Sequence, residues 1–166
     1  LHLDERYSVD MNINRTIDDI DHKILTILQE KARIPNAEVA RQVGMAPSAV
    51  LERIRKLEEQ GIIEGYEVRL NPLSFNQGLT AFVQLTARPS VLSQLHEELM
   101  GVTGVQDIHQ VAGEDGYLVK LRVADNTELG RIIAEELSSI DGIQQTRTCI
   151  VLNTIKETRK IDLDRV

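Results

Sequence analysis

The apolar residues of this chain follow two rhythms. Between Thr16 and Gly61 they recur at the three- and four-residue spacing of a helix face. In TIDDIDHKILTILQEKARI the stripe is Ile20, Ile24, Ile27 and Leu28. Asp18 is placed to cap this helix, with Asp21 three residues on, a capping box with Asp in place of Glu. In NAEVARQVGMAPSAVLERIRKLEEQG, Ala37, Val39, Ala40 and Val43 mark a second, shorter helix that Asn36 is placed to cap. Gly44 follows where a left-handed backbone ends a helix. Pro47 suits the first turn of a third helix, whose Val50, Ile54 and Leu57 point inward. Ile62-Ile63 and Glu64-Gly65-Tyr66 read as a short strand. The pattern predicts three helices and a strand, a winged helix-turn-helix domain over 16–66.

A connection over 67–78, containing Asn71-Pro72 and Ser74–Gly78, separates this domain from a second rhythm. Strand-like alternation marks Thr80–Ala87, Val105–Ala112, Tyr117–Val123 and Ile143–Leu152, and helical spacing marks Val91–Met100 and Thr127–Ser139. This half repeats itself at an offset of 38 residues: Glu98-Leu99 returns as Glu136-Leu137, and Gly104-Val105-Gln106 as Gly142-Ile143-Gln144. The same shift lays Ala81, Val83 and Leu85 over Val119, Leu121 and Val123. Two strand–helix–strand units predict a ferredoxin-like βαββαβ domain over 79–153, with both helices on one face of an antiparallel sheet. The expected fold class is therefore α+β. A sheet face left uncovered and carrying apolar residues calls for a partner.

Composition narrows the function. The chain has 166 residues, 42% hydrophobic and 27% charged, which suits one or two globular domains with real cores. Aromatic residues make up 3%, with no Trp, which argues against base-stacking platforms for single strands. A net charge of −7 looks wrong for a DNA binder, but its distribution matters more. From Arg41 to Lys56 four basic residues face one acid, Glu52. Opposite the apolar stripe, the third helix carries Ser48, Ala49, Glu52, Arg53 and Lys56, with Arg55 at its flank. Arg53, Arg55 and Lys56 are candidates for phosphate or guanine contacts, and Ser48, Ala49 and Glu52 for positions near base edges.

No apolar run is long enough to span a membrane and no signal peptide is read. A single cysteine, Cys149, excludes an internal disulfide and fits a reducing cytoplasm. His2, His22, His96 and His109 have no metal-ligand spacing, and there is no phosphate loop or paired-carboxylate constellation. The expectation is a cytoplasmic protein that is not an enzyme, with no metal, cofactor or catalytic residue.

IDDIDHKILTILQEKARIPNAEVARQVGMAPSAVLERIRKLEEQGIIEGYEVRLNP resembles the amino-terminal domain of the leucine-responsive regulatory protein/AsnC family of transcriptional regulators. The similarity continues through VAGEDGYLVKLRV and TRTCIVLNTIKE, covering about residues 17–158. The resemblance implies a sequence-specific regulator of double-stranded DNA. It also implies a homo-oligomer, dimeric through its sheet and in larger forms an octamer. Two departures stand out. Ala46 occupies a cap position where the family often has Ser, and Gly116 a position where it often has Asp.

The loop Ala112-Gly113-Glu114-Asp115-Gly116 offers backbone amides to a carboxylate and acids to an ammonium. Taken alone it reads as an ordinary hairpin turn. The resemblance implies that Ala112, Gly113, Glu114, Asp115, Gly116 and Tyr117 border an amino-acid effector pocket between dimers, with Thr146 and Thr148 as secondary candidates. Leu1–Arg15 reads as a flexible segment or an arm over a partner subunit, and IKETRKIDLDRV as an edge strand or a loose end. Two other classes stay open: a winged-helix protein-interaction module without DNA binding, and an enzyme using His109 or Cys149, neither of which has an identifiable partner in sequence.

Overall fold

The computed structural model describes residues 17–88, 92–112 and 116–164. They form two compact units. One comprises residues 17–69 together with 158–164, the other residues 70–157. The expectation for Leu1–Arg15 lies outside the described residues.

In the first unit α1 (Asp19–Glu30) begins at Asp18, whose Oδ1 accepts the amides of Ile20 at 2.9 Å and Asp21 at 2.8 Å. Asp21 does not complete a capping box. Its carboxylate accepts from Arg53 instead. α2 (Asn36–Val43) starts at Pro35, with no side-chain cap. Asn36 thus lies within the first turn rather than at the cap, because Pro35 supplies the extended backbone that leads into the helix. Gly44 closes α2 at φ 73°, and α3 (Pro47–Glu59) opens with Pro47 in its first turn and Ala46 at an unbonded cap. Ile24, Val39, Ala40, Val50, Ile54 and Leu57 form the buried core.

The short strand expected at Ile62–Tyr66 does not form as a paired strand. Ile62 and Ile63 instead donate their amides to the carbonyl of Leu57, at 2.9 and 3.1 Å, and pack on the core. The chain after Gly61 is therefore held by these two bonds and by its side chains.

The second unit opens with a 3₁₀ turn, Pro72–Phe75, whose Leu73 amide is capped by Asn71. There follow β1 (Leu79–Ala87), α4 (Leu92–Met100), β2 (Val105–Val111), β3 (Gly116–Val123), α5 (Asn126–Arg131) and β4 (Ile143–Ile150). α5 continues as a π-helical segment, Ile132–Leu137. The sheet order is β2-β3-β1-β4, antiparallel throughout, which is the expected ferredoxin-like arrangement. Alternation places Ala81, Val83 and Leu85 of β1 and Val119 and Leu121 of β3 against Leu95, Leu99, Ile132 and Leu137 of the helices. The opposite face carries Phe82 and Gln84 beside Leu118, Lys120 and Arg122.

The internal repeat has a physical counterpart. Gly104 and Gly142, 38 residues apart, both enter their strands with left-handed backbone, at φ 75° and 95°. At Gly104 a Cβ would sit 2.6 Å from the carbonyl oxygen of Arg122, so the close approach of the chains also requires glycine.

Candidate nucleic-acid interface

α3 buries Val50, Ile54 and Leu57 and leaves Ser48, Leu51, Glu52, Arg55 and Lys56 exposed. Ser48, Glu52, Arg55 and Lys56 are exposed, while Ala49 is half-buried. Arg55 reaches Glu59 at 2.9 Å and Lys56 lies 4.0 Å from Glu52, both one turn along the same helix. Pairs of this kind between well-exposed side chains are weak, and a phosphate competes easily for the cation.

Arg53 is placed differently from its expected role. Its Nη1 donates to Asp18 at 2.7 Å and to Asp21 at 2.8 Å, and its side chain is only 28% exposed. These bonds hold the Asp18 carboxyl below the usual carboxylate range, after the larger effect of the Asp21 amide. The guanidinium fastens α3 to the start of α1 and does not face outward with Lys56. Helical spacing alone could not separate these roles, because Arg53 lies on the border between the buried and outward faces. The signal was in the sequence nonetheless: Asp18 and Asp21 are acids with one cap to make between them.

On the other flank of α3, Leu28, Ile34, Leu51, Ile54, Arg55 and Tyr66 line a cleft of about 230 Å³ that the sequence pattern did not reveal. Tyr66 donates its hydroxyl to Glu58 at 2.9 Å, which fastens the chain after Gly61 to α3. Burial, and then the Glu58 carboxylate, push the Tyr66 phenol up to about 12. In α2, Glu38 accepts from Arg41 and Gln42, and these bonds lower its carboxyl to about 2.

In the second unit Gly113, Glu114 and Asp115 lie outside the described residues. Ala112 is exposed at the end of β2 and Gly116 is buried at the start of β3. Tyr117 does not border an open site through its ring. It is 2% exposed within the core, where its hydroxyl meets His96 Nε2 at 2.8 Å and the two rings pack edge to face. Strand alternation is the reason: Tyr117 pairs with Leu85 and so shares the helix-covered face. Thr146 and Thr148 stand opposite Leu85 and Val83, hence on that same side at the edge strand β4. Thr146 and Tyr117 occupy one row of the sheet with Leu85 between them. Among the described residues no group of His, Cys, Asp or Glu is arranged to hold a metal, and no helix is long and apolar enough to cross a membrane.

A glycine turn between two short helices, the second offering polar and basic side chains on a supported face, defines a DNA-binding regulator with an appended ferredoxin-like domain. Comparison with known proteins identifies the family. Residues 17–64 match a winged helix-turn-helix DNA-binding domain and residues 80–161 the Lrp/AsnC ligand binding domain. The leucine-responsive regulatory proteins of Escherichia coli K12 and Klebsiella pneumoniae are 35% identical over 150 residues, covering 89% of this chain and 92% of theirs. A transcriptional regulator from Neisseria meningitidis, solved with L-Met, superposes at TM-score 0.86 and 31% identity, covering 90% of this chain and 98% of its own. The feast or famine regulatory protein of M. tuberculosis, complexed with L-methionine, gives 0.80 and 32%, covering 88% and 99%. The chain belongs to the Lrp/AsnC family and is a DNA-binding transcriptional regulator.

Proposed function

We propose that α3 enters the major groove with Ser48, Ala49 and Glu52 towards base edges and Arg55 and Lys56 towards phosphate or guanine, while Arg53 sets the helix in place. The division of the basic side chains carries this reading. Arg53 is committed to two carboxylates, whereas Arg55 and Lys56 are 68% and 63% exposed and have only a weak partner on their own helix. The test is a salt titration with duplexes selected from a randomised pool. Lys56→Ala is expected to reduce the slope of log K against log salt by about 0.9 and to weaken all sequences alike. Arg53→Ala is expected to leave that slope unchanged and to weaken binding through misplacement of α3. Equal losses of slope in both variants would remove this division of roles. A protein-interaction module would show no salt-dependent binding to any duplex.

The regulator answers to an amino acid bound beside Ala112–Tyr117, with backbone amides of the turn receiving the carboxylate. L-methionine is the first probe, because regulators similar to this chain over most of their length are complexed with it. Tyr117 serves this site as a buried support for β3. Calorimetric titration with L-methionine and the other common amino acids is expected to find one that binds and that fails to bind Gly113→Asp. Undiminished binding to that variant would place the site elsewhere. The protein works in the cytoplasm as at least a dimer joined through its second unit, with octamers as the larger closed form, reading half-sites about one helical turn apart. Sedimentation as a monomer at micromolar concentration would overturn this assembly.

A further inference from the structure

Among the large apolar side chains of α3, Leu51 stands apart. Val50, Ile54 and Leu57 are buried, whereas Leu51 is 54% exposed. Surface leucines are common, so exposure alone decides nothing. The row in which Leu51 lies decides more. It follows Ser48 by three residues and precedes Arg55 by four, so these side chains are neighbours along one face of the helix, with Glu52 beside them. Three of the four positions carry polar groups suited to base edges or phosphate, and the fourth carries only carbon. Ala49, the smaller apolar candidate, lies four residues before Arg53 and so shares the flank that is fastened to Asp18 and Asp21. Leu51 also lines the cleft, together with Leu28, Ile34 and Tyr66. It therefore sits where an apolar wall meets the polar row.

The major groove offers one apolar group to a side chain of this kind. Every base pair presents hydrogen-bonding atoms there, and only thymine adds a methyl, at C5. Leucine has no donor or acceptor to exchange with a base edge, but it can take that methyl out of water.

We propose that Leu51 is a specificity-determining residue of this regulator: it packs on the C5 methyl of a thymine beside the base pairs met by Ser48 and Arg55, and selects thymine by apolar contact rather than by hydrogen bonding. This rests on the reading of α3 as the helix in the major groove.

The experiment measures the affinity of the full-length protein, at one salt concentration, for a duplex selected from a randomised pool, with each thymine replaced in turn by deoxyuridine. Uracil pairs as thymine does and lacks only the methyl. At one thymine of each half-site the replacement is expected to weaken wild-type binding about fourfold, the effect of one methyl group returned to water. Leu51→Ala is expected to bind the thymine duplex more weakly and to lose that penalty at the same position. Leu51→Met, which keeps the apolar bulk, is expected to retain it. A uracil penalty of equal size in wild type and Leu51→Ala would overturn the proposal, because the methyl would then act through the stiffness of the DNA or through another side chain. A penalty lost in Leu51→Met as fully as in Leu51→Ala would overturn it too, since apolar bulk would not be what is read. So would wild-type binding indifferent to uracil at every thymine. These three outcomes presuppose salt-dependent binding to the duplex, so they leave the reading of α3 standing. Absence of such binding to any duplex removes that reading and this inference together.

Discussion

Replacing Gly104 by alanine is expected to destabilise the ferredoxin-like unit by about 2–5 kcal/mol, from two sources that the structure separates. The first is conformational: Gly104 has φ 75°, and a side chain held in left-handed backbone costs about 1–2 kcal/mol. The second is steric. A Cβ would lie 2.6 Å from the Arg122 carbonyl oxygen and 3.2 Å from Val123 Cγ1. That carbonyl cannot swing aside cheaply, because it sits in β3 between β1 and β2, where the Arg122 amide also donates to the Gly104 carbonyl at 2.8 Å. Overpacking of this kind costs about 1–3 kcal/mol. Gly44 isolates the first source, having φ 73° with nothing within 4 Å of an added Cβ, so Gly44→Ala is expected to lose only about 1–2 kcal/mol. Urea denaturation, with amide exchange read on β3 for one variant and on α3 for the other, measures both losses. Equal losses would refute the argument, since the contact with Arg122 would then contribute nothing.

Other predictions are more local. Ala46→Ser is expected to stabilise the first unit by about 1 kcal/mol, because Ala46 already has the extended cap backbone and lacks only an oxygen for an α3 amide; no rise in the urea midpoint would show that cap to be strained. Tyr117→Phe leaves His96 Nε2 without its partner and is expected to cost about 1 kcal/mol while the fold persists, as circular dichroism and thermal melting would show. Glu38 is held at about 2 by Arg41 and Gln42, so the stability it contributes is complete above its ordinary value of 4.5 and is lost as the pH falls from there through about 2. An NMR titration of Glu38, expected to move back towards 4.5 in Arg41→Ala, checks the cause, and an unchanged midpoint in that variant would refute it.

The amino-acid sequence by itself determined the elements and their order. Helix faces, the Asp18 cap, the Gly44 turn, the Pro47 start and the 38-residue repeat are all short-range or periodic features, and each follows from backbone geometry over a few residues. The βαββαβ order was legible for the same reason, since two copies of one unit can close a four-stranded sheet with both helices on one side. The outward face of α3 was legible only in outline.

Tertiary structure decided the rest, because it depends on groups brought together from far along the chain. Arg53 meets carboxylates 32 and 35 residues away, and that pairing removes it from the outward face. Tyr117 follows the Ala112–Gly116 stretch that the sequence offered as a ligand site, yet its pairing with Leu85 turns the ring into the core. The expected strand after Gly61 gave way because the Leu57 carbonyl took both its leading amides. Gln29 meets Ile161 across 132 residues, a contact no periodicity encodes. Local patterns specify what each segment becomes; which segment satisfies a given carboxylate, amide or cap is settled only when the whole chain has chosen its neighbours.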